Sequence, residues 1–191
     1  MRNLGDTELK RLHREWRRKT EDRLSLLLDD VQTPYNVGSI VRTAAALRVE
    51  HLHVAGASIT PDHAKSHKTS LGTERYVDWT FHPSLAAAIA AVKDTGLRLV
   101  GIELADAAVP LHQAVLGPDV CLALGHEDRG LSPLTLAACD EVAFVPQLGK
   151  VASLNVAQAA AMAMYEVRRR SWPSVTVAPG SPGVPPGRGR P

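Results

Sequence analysis

Five side chains in this 191-residue sequence stand where a substrate could be held or activated: Asn36, Arg42, Glu127, Ser153 and Asn155. Arg42 lies within the otherwise apolar helical segment NVGSIVRTAAAL. A guanidinium there either forms a partly exposed salt bridge or sits at a pocket edge, gripping phosphate or assisting at a hydroxyl. Asn36 opens the same segment, a common place for an N-cap, and Gly38 permits close backbone approach. Glu127 falls in a glycine-bounded loop after a buried strand, as a solvated acid or as a pocket wall. Ser153 precedes LNVAQAAAMAMYE and reads as the N-cap of a last helix. Asn155 then falls in the first turn of that helix, where its amide and the free N–H groups can face a ligand. Each signal is weak alone, but all five lie on or beside segments that follow strands.

Other chemistries find less support. No G-x-G-x-x-G follows the first strand, where the sequence is DDVQTPYNVG. GHEDRGLS (125–132) has the glycine spacing of a phosphate-binding loop but lacks its lysine, so a nucleotide triphosphatase is excluded. His51 and His53 share a strand face, and His63 and His67 are one helical turn apart, but no cysteine or carboxylate completes either pair at ligand spacing. No metal is expected. His63, Lys65, His67, Lys68 and Arg75 make a polar, basic loop that either touches RNA or is solvated surface.

The elements that must position these residues alternate along the chain. Strands are expected at 24–28, in HLHVAG from residue 51, at 97–102, at 120–124 and at 142–146. Helices are expected at 6–22 with Asp6 or Thr7 as cap, at 36–47, at 84–95 capped by Ser84, at 133–139 and at 154–170. Strands alternating with helices define an α/β fold built on a mainly parallel sheet, with ligands just beyond the strands' carboxyl ends. The loops to watch are therefore 29–36, 103–110, 125–132 and 146–153. The expected organisation is a basic helical extension at 1–23, one domain at 24–170 and a disordered tail at 171–191 that contains six prolines and four glycines.

Charge supports a polyanionic partner. The net charge of +2 resolves into +3 over residues 1–23, −6 over 24–167 and +5 over 168–191. Basic ends on an acidic body suit nucleic acid, or else simply keep the protein dissolved. Leu9, Leu12 and Trp16 form an apolar stripe on the first helix that must pack on the body or on a second subunit. Cys121 and Cys139 lie in apolar surroundings and read as reduced, which points to the cytoplasm. The start, MRNLGDTELK, has no apolar leader region, and no apolar run approaches the length of a membrane span.

Three segments resemble the three motifs of the SpoU/TrmH branch of the SPOUT RNA methyltransferases: NVGSIVRTA (36–44), LGHEDRGLS (124–132) and VPQLGKVASLNVAQAAA (145–161). They occur in the family's order and spacing, and the likeness covers about residues 24–168. It implies an α/β fold with helices on both faces of the sheet and a C-terminal trefoil knot. S-adenosylmethionine would bind in the knot through backbone groups of Ile102, Gly125, Val145 and Leu154. It also implies that Asn36, Arg42, Glu127, Ser153 and Asn155 form the catalytic site. Arg42 would activate a ribose 2′-hydroxyl, as base or electrostatically, Asn36 would orient it, and the other three would shape the pocket. The implied partners are RNA and a second copy in a homodimer. KTSLGTERYVDWTFHPSLAAA (68–88) and RRR (168–170) resemble the tRNA-guanosine members, while NVG and VPQLG differ from that subgroup. A ribosomal-RNA enzyme and a non-catalytic RNA-binding member of the same fold are the alternatives.

Overall fold

The computed structural model describes residues 2–172. Its strands are β1 (Arg23–Asp29), β2 (His51–Ala55), β3 (Asp78–His82), β4 (Arg98–Ile102), β5 (Val109–Pro110), β6 (Asp119–Leu124) and β7 (Glu141–Phe144). Its α-helices are α1 (Asp6–Arg18), α2 (Pro34–Ala46), α3 (His67–Ser70), α4 (Leu85–Asp94), α5 (Pro133–Ala138) and α6 (Val156–Ser171), with a 3-10 turn at Thr73–Tyr76. The strands form one sheet in the order β3-β2-β1-β6-β4-β7-β5, and every pairing is parallel. Leu26 pairs with Leu52 on one side and Leu122 on the other, so the apolar run 24–28 is the centre of the sheet.

Alternation in β1 divides the core in two. Leu24, Leu26 and Leu28 pack toward α2 and α6 with Ile40, Val41, Ala160 and Met164. Leu27 faces the other side, with Ala88, Ile89 and Val92 of α4 and Leu99, Cys121 and Leu131. Both faces are thus covered, which is why this strand reads as continuously apolar. A Cβ on Gly38 would lie 2.2 Å from the Ser66 carbonyl oxygen, so glycine lets α2 seat against the 66–69 turn.

Several boundaries differ from the sequence expectation. The first helix ends at Arg18, and its N-cap is Gly5, whose N–H donates to Glu8. β3 and β5 were not expected: β3 is an edge strand with a largely exposed pattern, and β5 is two residues long. Helix α2 starts at Pro34 with Thr33 as N-cap, not at Asn36, because proline is preorganised for the first helical position. Ser153 caps nothing; Asn155 is the N-cap of α6, accepting from Ala157 N at 2.9 Å and Gln158 N at 3.4 Å. Of the expected tail, Ser171 ends α6, Trp172 follows it, and residues 173–191 lie outside the described residues.

The end of the sheet where the strands begin is closed by one buried cation. Arg168, 2% exposed, donates to the carbonyl oxygens of Leu47 at 2.8 Å, Asp22 at 2.6 Å and Arg48 at 2.6 Å. Its burial lowers its pKa from the ordinary arginine value. Arg170 donates to the carbonyls of Ala114 and Leu111 and pairs with Glu166. Two of the three arginines in the RRR run are therefore fasteners of the fold. Replacing Arg168 by Met strands three carbonyl groups, and we expect chemical denaturation to show a loss of roughly 3 kcal/mol or more.

On the opposite side of the sheet from α2, His51, His53 and His82 stack across β2 and β3, with His53 Nδ1 3.1 Å from His82 Nε2. Among the described residues no three histidine, cysteine or carboxylate groups converge as a metal site. Burial, then the neighbouring imidazoles, lower the His53 pKa to about 4. The unfolded chain therefore binds protons first. Stability contributed by neutral His53 is complete above about pH 6.5 and is lost as pH falls toward 4, by about 3 kcal/mol at most. Urea midpoints at pH 7 and pH 5 should fall less for His53→Asn than for the parent.

Candidate active site

The carboxyl ends of β4, β6 and β7 open into a cleft of about 250 Å³. Its walls come from Ile102–Leu104, Leu124–Gly130, Phe144, Val145, Gln147 and the segment around Ser153 to Val156. Ile102, Gly125, Val145 and Leu154, expected to hold a cofactor, all line it, as do Glu127 and Ser153. Glu103, His126 and Gln147 also line it, although sequence reasoning singled out none of them.

The loop 125–132 is closed on itself by two backbone bonds, His126 N to Gly130 O at 3.0 Å and Gly130 N to His126 O at 2.9 Å. A Cβ on Gly125 would lie 2.2 Å from the Gly130 carbonyl carbon. Gly130 has φ +67°, and its Cβ would meet Glu103 Oε2 at 2.0 Å. The glycine spacing thus serves a pinched turn. Glu103 accepts from Leu131 N and Leu104 N, both at 2.9 Å. Asp29, 2% exposed at the end of β1, accepts from Ser132 N at 2.8 Å and Thr135 Oγ1 at 2.7 Å.

Glu127 ties this loop to both helices. Its Oε1 accepts from Thr33 N and Asn36 Nδ2, each at 2.9 Å, and its Oε2 from Gln32 N at 3.2 Å. Asn36 Oδ1 in turn accepts from Asn155 Nδ2 at 2.9 Å. Because α2 begins at Pro34, the Asn36 side chain is released from capping and bridges Glu127 to Asn155. Burial pushes the Glu127 carboxyl up, but the hydrogen bonds from Asn36 and Thr33 outweigh it and hold the pKa at about 2. A carboxylate of that acidity is a poor proton acceptor at neutral pH, so its part is to orient amides.

Arg42 is not in the cleft. It is exposed on α2, nearly two turns beyond Asn36, with no hydrogen bond or ion pair recorded to the described residues. Of the five expected catalytic residues, the fold joins Asn36, Glu127 and Asn155 directly, sets Ser153 in the cleft wall and leaves Arg42 apart. One side chain at the cleft is unsatisfied: Gln147 Oε1 is buried and has no hydrogen-bond partner.

A parallel α/β sheet with a loop-built cleft at its carboxyl edge is the architecture in which small ligands bind just beyond the strand ends. The chain belongs to the SpoU rRNA Methylase family, whose model matches residues 23–165. It is 35% identical to the 23S rRNA (guanosine-2′-O-)-methyltransferase RlmB of Acinetobacter baylyi, over 77% of this chain and 60% of that protein. It is 29% identical to the tRNA (guanosine(18)-2′-O)-methyltransferase of Escherichia coli, over 77% of this chain and 63% of that protein. The chain thus spans about three-fifths of the length of these relatives. Among solved structures, it is similar to the SpoU methyltransferase AviRb of Streptomyces viridochromogenes in complex with AdoMet (30% identity, TM-score 0.73, 78% of this chain and 61% of that one). A structure described as giving insights into the 2-OH methylation of C/U34 on tRNA is 32% identical with TM-score 0.70, covering 78% of this chain and 96% of that one.

The network gives a direct test. Glu127→Ala leaves the donors of Gln32, Thr33 and Asn36 without their acceptor, and should cost about 1–3 kcal/mol at pH 7. Since Glu127 titrates near 2 when folded against 4.5 as reference, the parent's advantage is present above about pH 4.5 and fades as pH falls toward 2. Denaturation of both proteins from pH 7 to pH 3 checks magnitude and sign.

Proposed function

We propose that this chain is an S-adenosylmethionine-dependent methyltransferase of the ribose 2′-hydroxyl of RNA, with a guanosine in tRNA as its target. The observation that carries the reading is the Glu127–Asn36–Asn155 chain of hydrogen bonds beside the cleft. The relatives named above lend the reaction class and the RNA substrate. The identity to the A. baylyi enzyme favours 23S rRNA as the second reading. The alternative of a non-catalytic RNA-binding protein is separated by the experiment below.

The cleft suits the cofactor. Ile102, Gly125, Val145 and Leu154 would hold it, and the orphaned Gln147 Oε1 offers an acceptor to an amino group. When bound, it supplies an electrophilic methyl group on a sulfonium. This chain's residues must bring the hydroxyl in and stabilise charge developing on its oxygen. Guanidinium groups stay protonated in proteins, so the role assigned to Arg42 is electrostatic, lowering the cost of an alkoxide-like oxygen as the hydroxyl proton is lost to water. Asn36 and Asn155 orient the sugar, Glu127 locks the Asn36 amide and through it that of Asn155, and Ser153 shapes the wall.

The remaining parts of the reading are an assembly and a path. Tyr35, Met162 and Tyr165 leave large exposed surfaces on α2 and α6, and Leu148 and Val151 do so in the segment beyond β7. A homodimer covering these residues accounts for them and supplies the closure over Arg42 that one chain lacks. A C-terminal trefoil knot is part of the same reading, and the lining of the cleft by both the loop 125–132 and the segment after β7 is in keeping with it. Residues 24–170 are the catalytic domain, with 1–23 as an RNA-binding arm. Among the described residues no helix is long and apolar enough to cross a membrane. Free Cys121 and Cys139 suit a cytoplasmic protein.

Calorimetric titration with S-adenosylmethionine, followed by mapping of 2′-O-methyl groups in tRNA and rRNA, tests the reading. Absence of cofactor binding at millimolar concentration overturns it. Arg42→Ala should keep the cofactor Kd within about twofold while methyl transfer falls by about a hundredfold or more. Equal rates in variant and parent would remove Arg42 from the chemistry.

A further inference from the structure

At the opposite end of the sheet lies a second, larger groove of about 680 Å³, formed by α1, the end of α2 and the end of α6. Three aromatic rings line it: Trp16, Tyr76 and Trp172. So do His13, Arg17 and Arg48, together with the structural Arg168, and no carboxylate does. The nearby acids are engaged elsewhere: Glu15 with Lys19, Glu50 with Arg23, and Asp22 with Ser171. Tyr76 is 63% exposed and Trp16 40% exposed, and the cations Arg75 and Lys19 lie over their rings at 4.8 Å and 5.0 Å, places a stacking base would take over.

The groove is held open by specific contacts. Trp16 and Trp172 meet at 4.9 Å between centroids, tilted by 58°. Trp172 Nε1 donates to Thr20 Oγ1 at 3.1 Å, and Arg48 Nη1 donates to Thr20 O at 3.0 Å. Helix α1 buries none of its own residues, so it stands as a wall rather than as a packed element. Aromatic faces interleaved with cations are the chemistry of single-stranded nucleic acid binding, where bases stack and phosphates meet the positive groups.

We propose that this groove binds an unpaired stretch of the substrate RNA, stacking a base on Trp16, Tyr76 or Trp172 with the flanking phosphates on His13, Arg17 and Arg48. The inference rests on the RNA-directed reading above and adds a second contact point to it. Helix α2 runs from the groove, at Ala46, to the active-site network, at Asn36, over about 15 Å at 1.5 Å per residue. Exposed Arg42 lies between the two. A strand seated in the groove therefore reaches the cleft within a few nucleotides, and α2 measures the interval.

The test uses the full chain, a single-stranded 12-residue oligouridine and an RNA hairpin of equal length. Fluorescence anisotropy should show the single strand binding more tightly than the hairpin. Arg17→Glu should weaken the single strand about tenfold and reduce the slope of log affinity against log salt by about 0.7 or more. Tyr76→Ala should weaken it about fivefold or more and leave the slope unchanged. Ultraviolet cross-linking with mass spectrometry should place adducts on Trp16, Tyr76 or Trp172. Parent-like affinity in both variants, or adducts confined to other residues, overturns the groove assignment. S-adenosylmethionine titration of the same proteins separates the two readings. Unchanged cofactor binding alongside a failed groove test leaves the methyltransferase reading standing, and failed cofactor binding in the parent sinks that reading whatever the groove does.

Discussion

Three carboxylates fix the loop 125–132, and the site depends on that loop. Asp29 holds Ser132 from the end of β1, Glu103 holds Leu131 from the end of β4, and Glu127 reaches from the loop itself to the start of α2. Each binds backbone N–H groups, so the loop's conformation follows from the positions of two strand ends and one helix start. The pinched turn between Gly125 and Gly130 leaves no room for side chains at either glycine. The cleft is therefore walled partly by backbone, with the Asn36 amide held on Glu127 and the Asn155 amide held on Asn36. Removing any one anchor would let the turn move relative to the others, so these three negative charges of the acidic body are engaged in holding backbone N–H groups.

Much of this was legible in the sequence. The runs around 24–28, 97–102 and 120–124 read as buried strands because both faces of a parallel sheet are covered, and their continuity fixed the order of elements. The edge strand β3 was illegible because its residues are mostly exposed and carry no periodic signal. Helix starts were misplaced for a local reason. Asparagine and serine are good caps, but Pro34 moves the start of α2 upstream and leaves Asn36 inside, while Asn155 outcompetes Ser153 at α6. Those two shifts are the ones that make the amide network possible. Glu103 and Gln147 had no recognisable pattern, since their importance lies in what the fold brings opposite them.

The charge segregation also changes meaning once the side chains are placed. RRR at 168–170 looks like a basic tail, yet Arg168 and Arg170 donate to buried or half-buried carbonyls and Arg169 pairs with Glu166. The positive surface at that end belongs instead to α1 and to Arg48. A sequence tally of charge counts both kinds equally, although only exposed, unpaired cations attract phosphate at a distance.

The Arg168 fastening has a temporal consequence. Its three carbonyl partners belong to residues 22, 47 and 48, so one side chain near the end of the chain joins positions 120 to 146 residues earlier. During synthesis the start of β1 and the end of α2 must wait for the last helix before that pole can close. The central strand β1 likewise pairs early with β2 but gains its second neighbour only with β6, nearly a hundred residues downstream. A nascent chain halted before α6 has all seven strands but leaves bare the apolar face on which Ala160, Ala163, Met164 and Val167 pack, the state in which such proteins most readily associate with one another. Assembly of this molecule is thus decided at its end, by an arginine that the finished protein hides.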